Sequence, residues 1–347
     1  MLALQAVTPA RLVETVAGVT LAEARKVIAQ VHRGEPVTAN GAIRRTAAQA
    51  VRDASYVPTL EIASEIASQL DPFVKYALDS AGARFEAVRI PLAHPDRFCA
   101  CVSSQGGCAL ACAFCATGRL GLERNLAPWE IVEQVRIVRA RLPRGRVHGV
   151  VFQGMGEPLA NLDSVLEAIA VMTEPCALAI DARAITVCTA GLPTGIRRLA
   201  AEQPNVRLGL SISSAIAAHR KRLMPIAERH DLEDVLAAVA DHARITNLSP
   251  MWAVTLLAGV NDSDDDARAL AARSLAFTEA TGRRPRISLL DYNAIGEGDP
   301  FLRSTRMAAF RDVLGGAGLA THRRYSGGSD VAAACGQLAG AGGGGRL

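Results

Sequence analysis

The chain is poor in lysine: of its 38 basic residues only Lys26, Lys75 and Lys221 are not arginine. Long apolar runs are missing as well. None approaches the roughly 18 to 20 residues needed to span a bilayer, so no membrane segment is expected. The first residues, MLALQAVTPARLVE, lack a basic stretch followed by an apolar core and do not read as a secretion signal. Charged residues make up only 21% of the chain and hydrophobic ones 50%, which excludes a disordered polymer. The net charge of +4 is too small to demonstrate a nucleic-acid partner. Arginine suits phosphate through its planar fork, although arginine-rich codon usage is the plainer account of the bias. A cytoplasmic location is the default expectation.

What is present is a rhythm. Residues 1–80 read as a helical accessory domain, with LVETVAGV, LAEARKVIAQVH and EIASEIASQL carrying apolar residues at helical spacing. Thr20, with Glu23 three residues on, forms a capping box. FEAVRIPL (85–92) reads as a strand or hairpin leading into the main domain. From Cys99 onward six short apolar runs (FCACVSS, VHGVVFQ, AITVCTA, VRLGLSI, MWAVTLL and RISLLDY) alternate with amphipathic helices. Six βα units in series predict a parallel sheet curved into a partial (β/α)6 barrel over 81–340. The tail, 341–347, has no core-forming residues and is expected to be flexible.

In such folds the working residues sit at the C-terminal ends of the strands. There lie Cys108, Cys112 and Cys115, then GMGEP (154–158), Cys188, Ser211 to Ser213, and Asn293. The chain has eight cysteines, four of them between Cys101 and Cys115. Cytosolic thiols stay reduced, so such clustering points to metal or chemistry. Structural zinc prefers two C-x-x-C pairs, and no second pair is near. Three thiolates on a [4Fe-4S] cluster leave one iron open to a small molecule, unlike an electron carrier with four. The spacing C-x-x-x-C-x-x-C is the signature of the radical S-adenosylmethionine (SAM) superfamily, and Phe114 fits the usual aromatic before the last cysteine. Glu157 of GMGEP could accept hydrogen bonds from the amine of such a ligand.

Over nearly its whole length the sequence resembles the RlmN/Cfr family of RNA adenine methyltransferases. FEAVRIP, CVSSQGGCALACAFCATG, RNLAPWEIVEQV, GMGEPLANLDSVLEAI, RLMPI and SDVAAACGQLAG carry the resemblance. It implies a reaction using two SAM molecules on an adenosine of 23S rRNA or tRNA. One methylates Cys335; the other, reductively cleaved, yields a radical that removes hydrogen from that methyl group. The carbon radical then adds to C2 or C8 of adenine, Cys101 resolves the protein–RNA adduct, and Glu86 accepts a proton. Cys99 would point to the same face of a strand as Cys101, so spacing alone cannot choose between them.

The family's SAM pocket would map to Gly156, Glu157, Cys188, Ser211, Ile212, Ser213 and Asn293. Here the chain departs from the pattern: Cys188 stands where serine is common, Ser211-Ile212-Ser213 replaces Ser-Leu-His, and Asn293-Ala294 replaces Asn-Pro. The partners implied are RNA and a low-potential donor such as flavodoxin or ferredoxin, with the protein a monomer. RNA contacts are expected from the helical domain and from Arg119, Arg124, Arg139, Arg141, Arg144, Arg146, HRKR (219–222) and HRR (322–324). Two rivals stand beside this reading: a radical SAM enzyme for a small molecule or peptide, and an RNA-binding relic without turnover.

Overall fold

The computed structural model describes residues 1–296 and 298–339; the tail expected at 341–347 lies outside them. Three helices open the chain: α1 (Pro9–Thr15), α2 (Leu21–His32) and α3 (Arg45–Ala54). The predicted capping box is present, with Thr20 Oγ1 accepting from Glu23 N at 3.3 Å and Thr20 N donating to Glu23 Oε2 at 3.0 Å. Arg44 Nε donates to the same carboxylate at 2.8 Å, so one cap ties α2 to the start of α3.

The stretch EIASEIASQL, expected to be helical, is instead a strand. Ile62 and Ile66 are four residues apart, which suits one face of a helix and equally one face of a strand. Pairing decides. Glu61–Ala67 (β1) runs antiparallel to Val74–Ser80 (β2), with its side chains alternating between exposed and half-buried. Ala83–Pro91 (β3) and Arg97–Val102 (β4) extend this antiparallel ladder.

From β4 onward the sheet is parallel: β5 (Arg146–Phe152), β6 (Ile185–Thr189), β7 (Arg207–Ser211), β8 (Met251–Leu256), β9 (Arg286–Asp291) and β10 (Thr321–Arg324). All ten strands lie in chain order in one sheet. The six expected barrel strands are β4 to β9. Their central residues are buried on both faces, as parallel strands require: Val150, Val187, Leu208, Leu210, Trp252 and Leu289. The helices that return the chain are α4 (Pro128–Ala140), α5 (Leu162–Thr173), α6 (Pro193–Glu202), α7 (Ala217–Leu223), α8 (Leu232–Thr246), α9 (Asp264–Thr281) and α10 (Met307–Gly316). Among the described residues no helix is long and apolar enough to cross a membrane.

Candidate active site at the strand ends

The segment after β4 is fixed before it delivers any chemistry. Gln134 on α4 accepts from Ser103 N at 2.8 Å and donates to Ser103 O at 3.0 Å, closing both backbone groups of a buried residue. A short hairpin then pairs Gln105–Cys108 with Gly121–Asn125, so the cysteine loop leaves from a rigid stem. Only glycine serves at 107, where φ is +73° and an added Cβ would stand 1.9 Å from Gly121 O.

Cys108, Cys112 and Cys115 line one cavity at the strand ends, and Cys335 lines it too. The three loop thiols are held up by burial first, and Cys112 next by the charges of Cys115 and Cys108; Cys108 is pushed up to about 11. Losing three protons there needs a strong positive partner, which iron would provide. No trio of His, Cys, Asp or Glu among the described residues is spaced for a single metal ion. Three thiols from one loop that line one cavity suit a cluster that keeps one iron open.

The opposite wall comes from β5 to β7. Gly156, Glu157, Cys188, Ser211 and Ser213 all face the cavity. Gly156 has φ +100°, and a Cβ there would stand 2.6 Å from Gln105 Cβ, so the turn is glycine because it lies against the segment after β4. Glu157 is 3% exposed; it accepts Leu159 N at 3.0 Å and Ala190 N at 2.8 Å, and burial raises its pKa against those two bonds. The Thr189 side chain bonds to it as well, which still leaves the carboxylate a lone pair for a ligand. Cys188 Sγ points to Gln153 Oε1 at 3.7 Å, and burial pushes its thiol up to about 12.

Four predicted residues stand outside the cavity lining. Ile212 is buried and contributes backbone only. Asn293 Nδ2 donates to Cys335 O at 3.3 Å and to Ser326 Oγ at 3.2 Å, so it holds the Cys335 loop. Glu86 is fully buried on β3, where its Oε1 lies 3.1 Å from Lys75 Nζ and its Oε2 accepts Ala339 N at 3.0 Å. Cys101, on β4, is buried, and its thiol is raised well above the usual range by burial and then by the neighbouring Cys335 thiol. Cys99, two residues away, feels Arg324 after burial instead.

Two expectations for the basic runs are corrected. Arg220, read as part of a solvent-facing HRKR, is 1% exposed and donates to Ser211 O, Ile212 O and Ala190 O. Arg324, the last of HRR, is half-buried; it donates to Gln153 Oε1 at 2.6 Å, and its charge bears on the thiols of Cys335, Cys188, Cys101 and Cys99. A single arginine inside a basic run carries no sequence mark of facing inward. Several others are engaged in ion pairs: Arg119 with Asp299, Arg124 with Glu130, Arg141 with Glu65, Arg144 with Asp96 and Arg323 with Asp291. Sequence reasoning also passed over Gln105, whose Oε1 accepts Glu157 N at 2.8 Å. The scarcity of lysine could have drawn notice to Lys75.

Cysteine loop, glycine turn and partial barrel together define a radical SAM protein, and residues 102–271 match the radical SAM superfamily. A solved radical SAM methyltransferase from Sphaerobacter thermophilus superposes with a TM-score of 0.86 at 31% identity, over 98% of this chain and 100% of that one. A probable RNA methyltransferase of Sorangium cellulosum is 56% identical over 93% of this chain and 88% of its own length. The dual-specificity RNA methyltransferase RlmN of Syntrophobacter fumaroxidans is 42% identical over 74% of this chain and 73% of its own length. The chain belongs to the RlmN type of radical SAM RNA methyltransferases.

Proposed function

We propose that this protein methylates a ring carbon, C2 or C8, of an adenosine in rRNA or tRNA, with Cys335 as the methyl carrier. The observation that carries this reading is the place of Cys335. A cysteine from the far end of the chain lines the same cavity as the three loop cysteines, and it is the thiol neighbour that bears most on buried Cys101.

Cys108, Cys112 and Cys115 would hold a [4Fe-4S] cluster, and the wall from Gly156 to Ser213, with Asn293 nearby, would hold SAM. When bound, these cofactors supply the methyl group and the means of removing hydrogen from it, with two SAM molecules used per turnover and the electron coming from a flavodoxin or ferredoxin type of donor. The chain's own residues do the rest. Cys335 accepts a methyl group on sulfur, because sulfur is the side-chain nucleophile that can be alkylated and later released. This matters because C2 and C8 of adenine are electron-poor and do not attack an electrophilic methyl group. The Cys101 thiolate attacks the Cys335 sulfur and breaks its bond to the methylene carbon. That carbon takes the electron pair and a proton to become the methyl group as the S–S bond forms. Glu86 takes the proton that leaves the ring carbon. Exposed Arg139, Arg146, Lys221 and Arg222, with the N-terminal helices, would meet RNA phosphates, and the adenine must be unstacked to reach Cys335. We place the protein in the cytoplasm as a monomer.

The test is mass spectrometry of rRNA and tRNA nucleosides with the gene present and deleted. Loss of 2-methyladenosine assigns C2, and loss of 8-methyladenosine assigns C8; no change in either removes the substrate reading. In vitro, Cys335→Ala is expected to abolish methyl transfer with iron content unchanged. Cys101→Ala is expected to accumulate a covalent RNA adduct, and clean product release by that variant would overturn its resolving role.

A further inference from the structure

Lys75 is one of three lysines in an arginine-dominated chain, and it is buried, with 4% of its surface exposed. The sheet register explains its partner. Ala77 on β2 lies opposite Glu86 on β3, and Lys75 lies opposite Val88. Lys75 and Glu86 are therefore diagonal neighbours on one face of an antiparallel pair, and Nζ comes within 3.1 Å of Glu86 Oε1. The other oxygen, Oε2, accepts Ala339 N at 3.0 Å, four residues after Cys335.

That contact differs in kind from the others that hold the Cys335 segment. Ala116 N donates to Gly336 O at 2.7 Å and Thr117 Oγ1 to Leu338 O at 2.5 Å, both from the short helix Ala116–Leu120 that follows the cysteine loop. Asn293 and Ser326 hold Cys335 itself, from loops. Glu86 alone among these partners sits on a strand of the sheet. A buried ion pair is a poor device for stability, since apolar residues of similar volume commonly do as well or better. Its use lies in fixing a geometry. A compact ammonium fits between two strands where a planar guanidinium needs more room.

We infer that Lys75 is a positioning residue. Its ammonium fixes the Glu86 carboxylate, which anchors the Cys335 segment to the sheet through Ala339 N. The inference rests on the reading of Cys335 as methyl carrier, because it gives the anchor its purpose: the carrier sulfur must stay between the cysteine loop and Cys101. Glu86 then has two separable duties, an acceptor for Ala339 N and an acceptor for a proton.

Hydrogen–deuterium exchange of the full-length, iron-loaded protein reads the anchor directly in peptides covering residues 333–339. Lys75→Met alone leaves a buried carboxylate without its ammonium and can fail to fold. The deciding variant is therefore K75M/E86L, which fills the same space with apolar side chains and removes the acceptor of Ala339 N. Exchange at 333–339 is expected to rise at least tenfold in K75M/E86L while β2, β3 and the parallel strands keep wild-type protection. E86Q, whose amide oxygen can still accept from Ala339 N, is expected to stay protected there yet lose methyl transfer to RNA. Wild-type exchange at 333–339 in the double variant would overturn the proposal, as would a rise spread evenly over β2 and β3. Absence of a methyl group on Cys335 in wild-type protein given SAM would instead remove the carrier reading and leave the exchange result standing.

Discussion

Arg220 shows what one side chain can hold together. Its Nη1 donates to Ser211 O and Ile212 O, its Nη2 to Ala190 O, and no carboxylate pairs with it among the described residues. Burial pulls its pKa down to about 10, and the Cys112 thiol pushes the other way. The guanidinium thus bridges the ends of β6 and β7, the two strands whose tips form the proposed SAM wall, and lies next to one of the three loop cysteines. Arg220→Met would take their donor from Ser211 O and Ala190 O, at about 1–3 kcal/mol each, while Ile212 O keeps Ser214 N. Denaturant unfolding is expected to show a loss of about 3 kcal/mol or more, and equilibrium dialysis a weakened hold on SAM. Arg220→Lys keeps the charge but not the fork, so it should recover only part of both. Full recovery by lysine would mean that charge, and not the fork, does the bridging.

At the level of elements, the device most directly testable is the clasp between α4 and the end of β4. Gln134 is fully buried and serves both backbone groups of Ser103, whose hydroxyl in turn donates to Glu86 O at 2.6 Å and accepts Met155 N at 2.9 Å. One residue therefore ties together β3, β4, α4 and the glycine turn. Gln134→Leu, close in size but unable to form these bonds, is expected to cost roughly 2–4 kcal/mol by denaturant unfolding and to lower iron uptake on reconstitution. Unchanged stability would show that water replaces the amide. The elements also show how far the sequence could be read. Runs such as VHGVVFQ and RISLLDY are apolar on both faces and too short for a buried helix, which marks them as buried parallel strands. EIASEIASQL misled because a spacing of four suits both periods. THRR (β10) has no apolar residue to mark it, and PTGIRRLAAE (α6) opens on a proline with few apolar positions behind it. At the site, residue types with one strong chemistry were found, namely the loop cysteines, Glu157 and Cys335. Lys75 and Arg220 were missed or misplaced because a lone cation within a strand or a basic run looks like solvated surface until its neighbours are known.

Over the whole molecule, two buried histidines set an acid limit that should be measurable apart from the carboxylates. His32 ends α2 in the N-terminal region, and burial, with Arg136 and Arg139 nearby, holds its pKa down at about 3. His242 lies within α8, where burial alone lowers it to about 4. In the unfolded chain both titrate near 6.5. Above that pH neither state carries these protons, and the histidines leave the balance untouched. Between 6.5 and about 4 the unfolded chain binds protons that the folded one refuses, so stability must fall as pH falls. The slope is about 1.4 kcal/mol per pH unit for each histidine, reaching on the order of 3 kcal/mol each by pH 4. Glu130 is held below its usual range by Arg124, against burial, so the stability it adds is lost only at lower pH; Glu133, raised by burial, takes up its proton at higher pH and works in the opposite sense. In the interval from pH 6.5 to 5 the histidines, His148 among them, pull stability down as pH falls, while Glu133 and Glu157, raised by burial, pull the other way. Denaturant unfolding across it should show the share of the two buried histidines as the difference in slope between wild type and variants. His242→Gln should lower the slope by about 1.4 kcal/mol per pH unit and a double variant with His32→Gln by about twice that, whatever either change does to absolute stability. A slope unchanged in the double variant would mean that both rings become charged inside the folded protein, and the packing around them would then have to admit water.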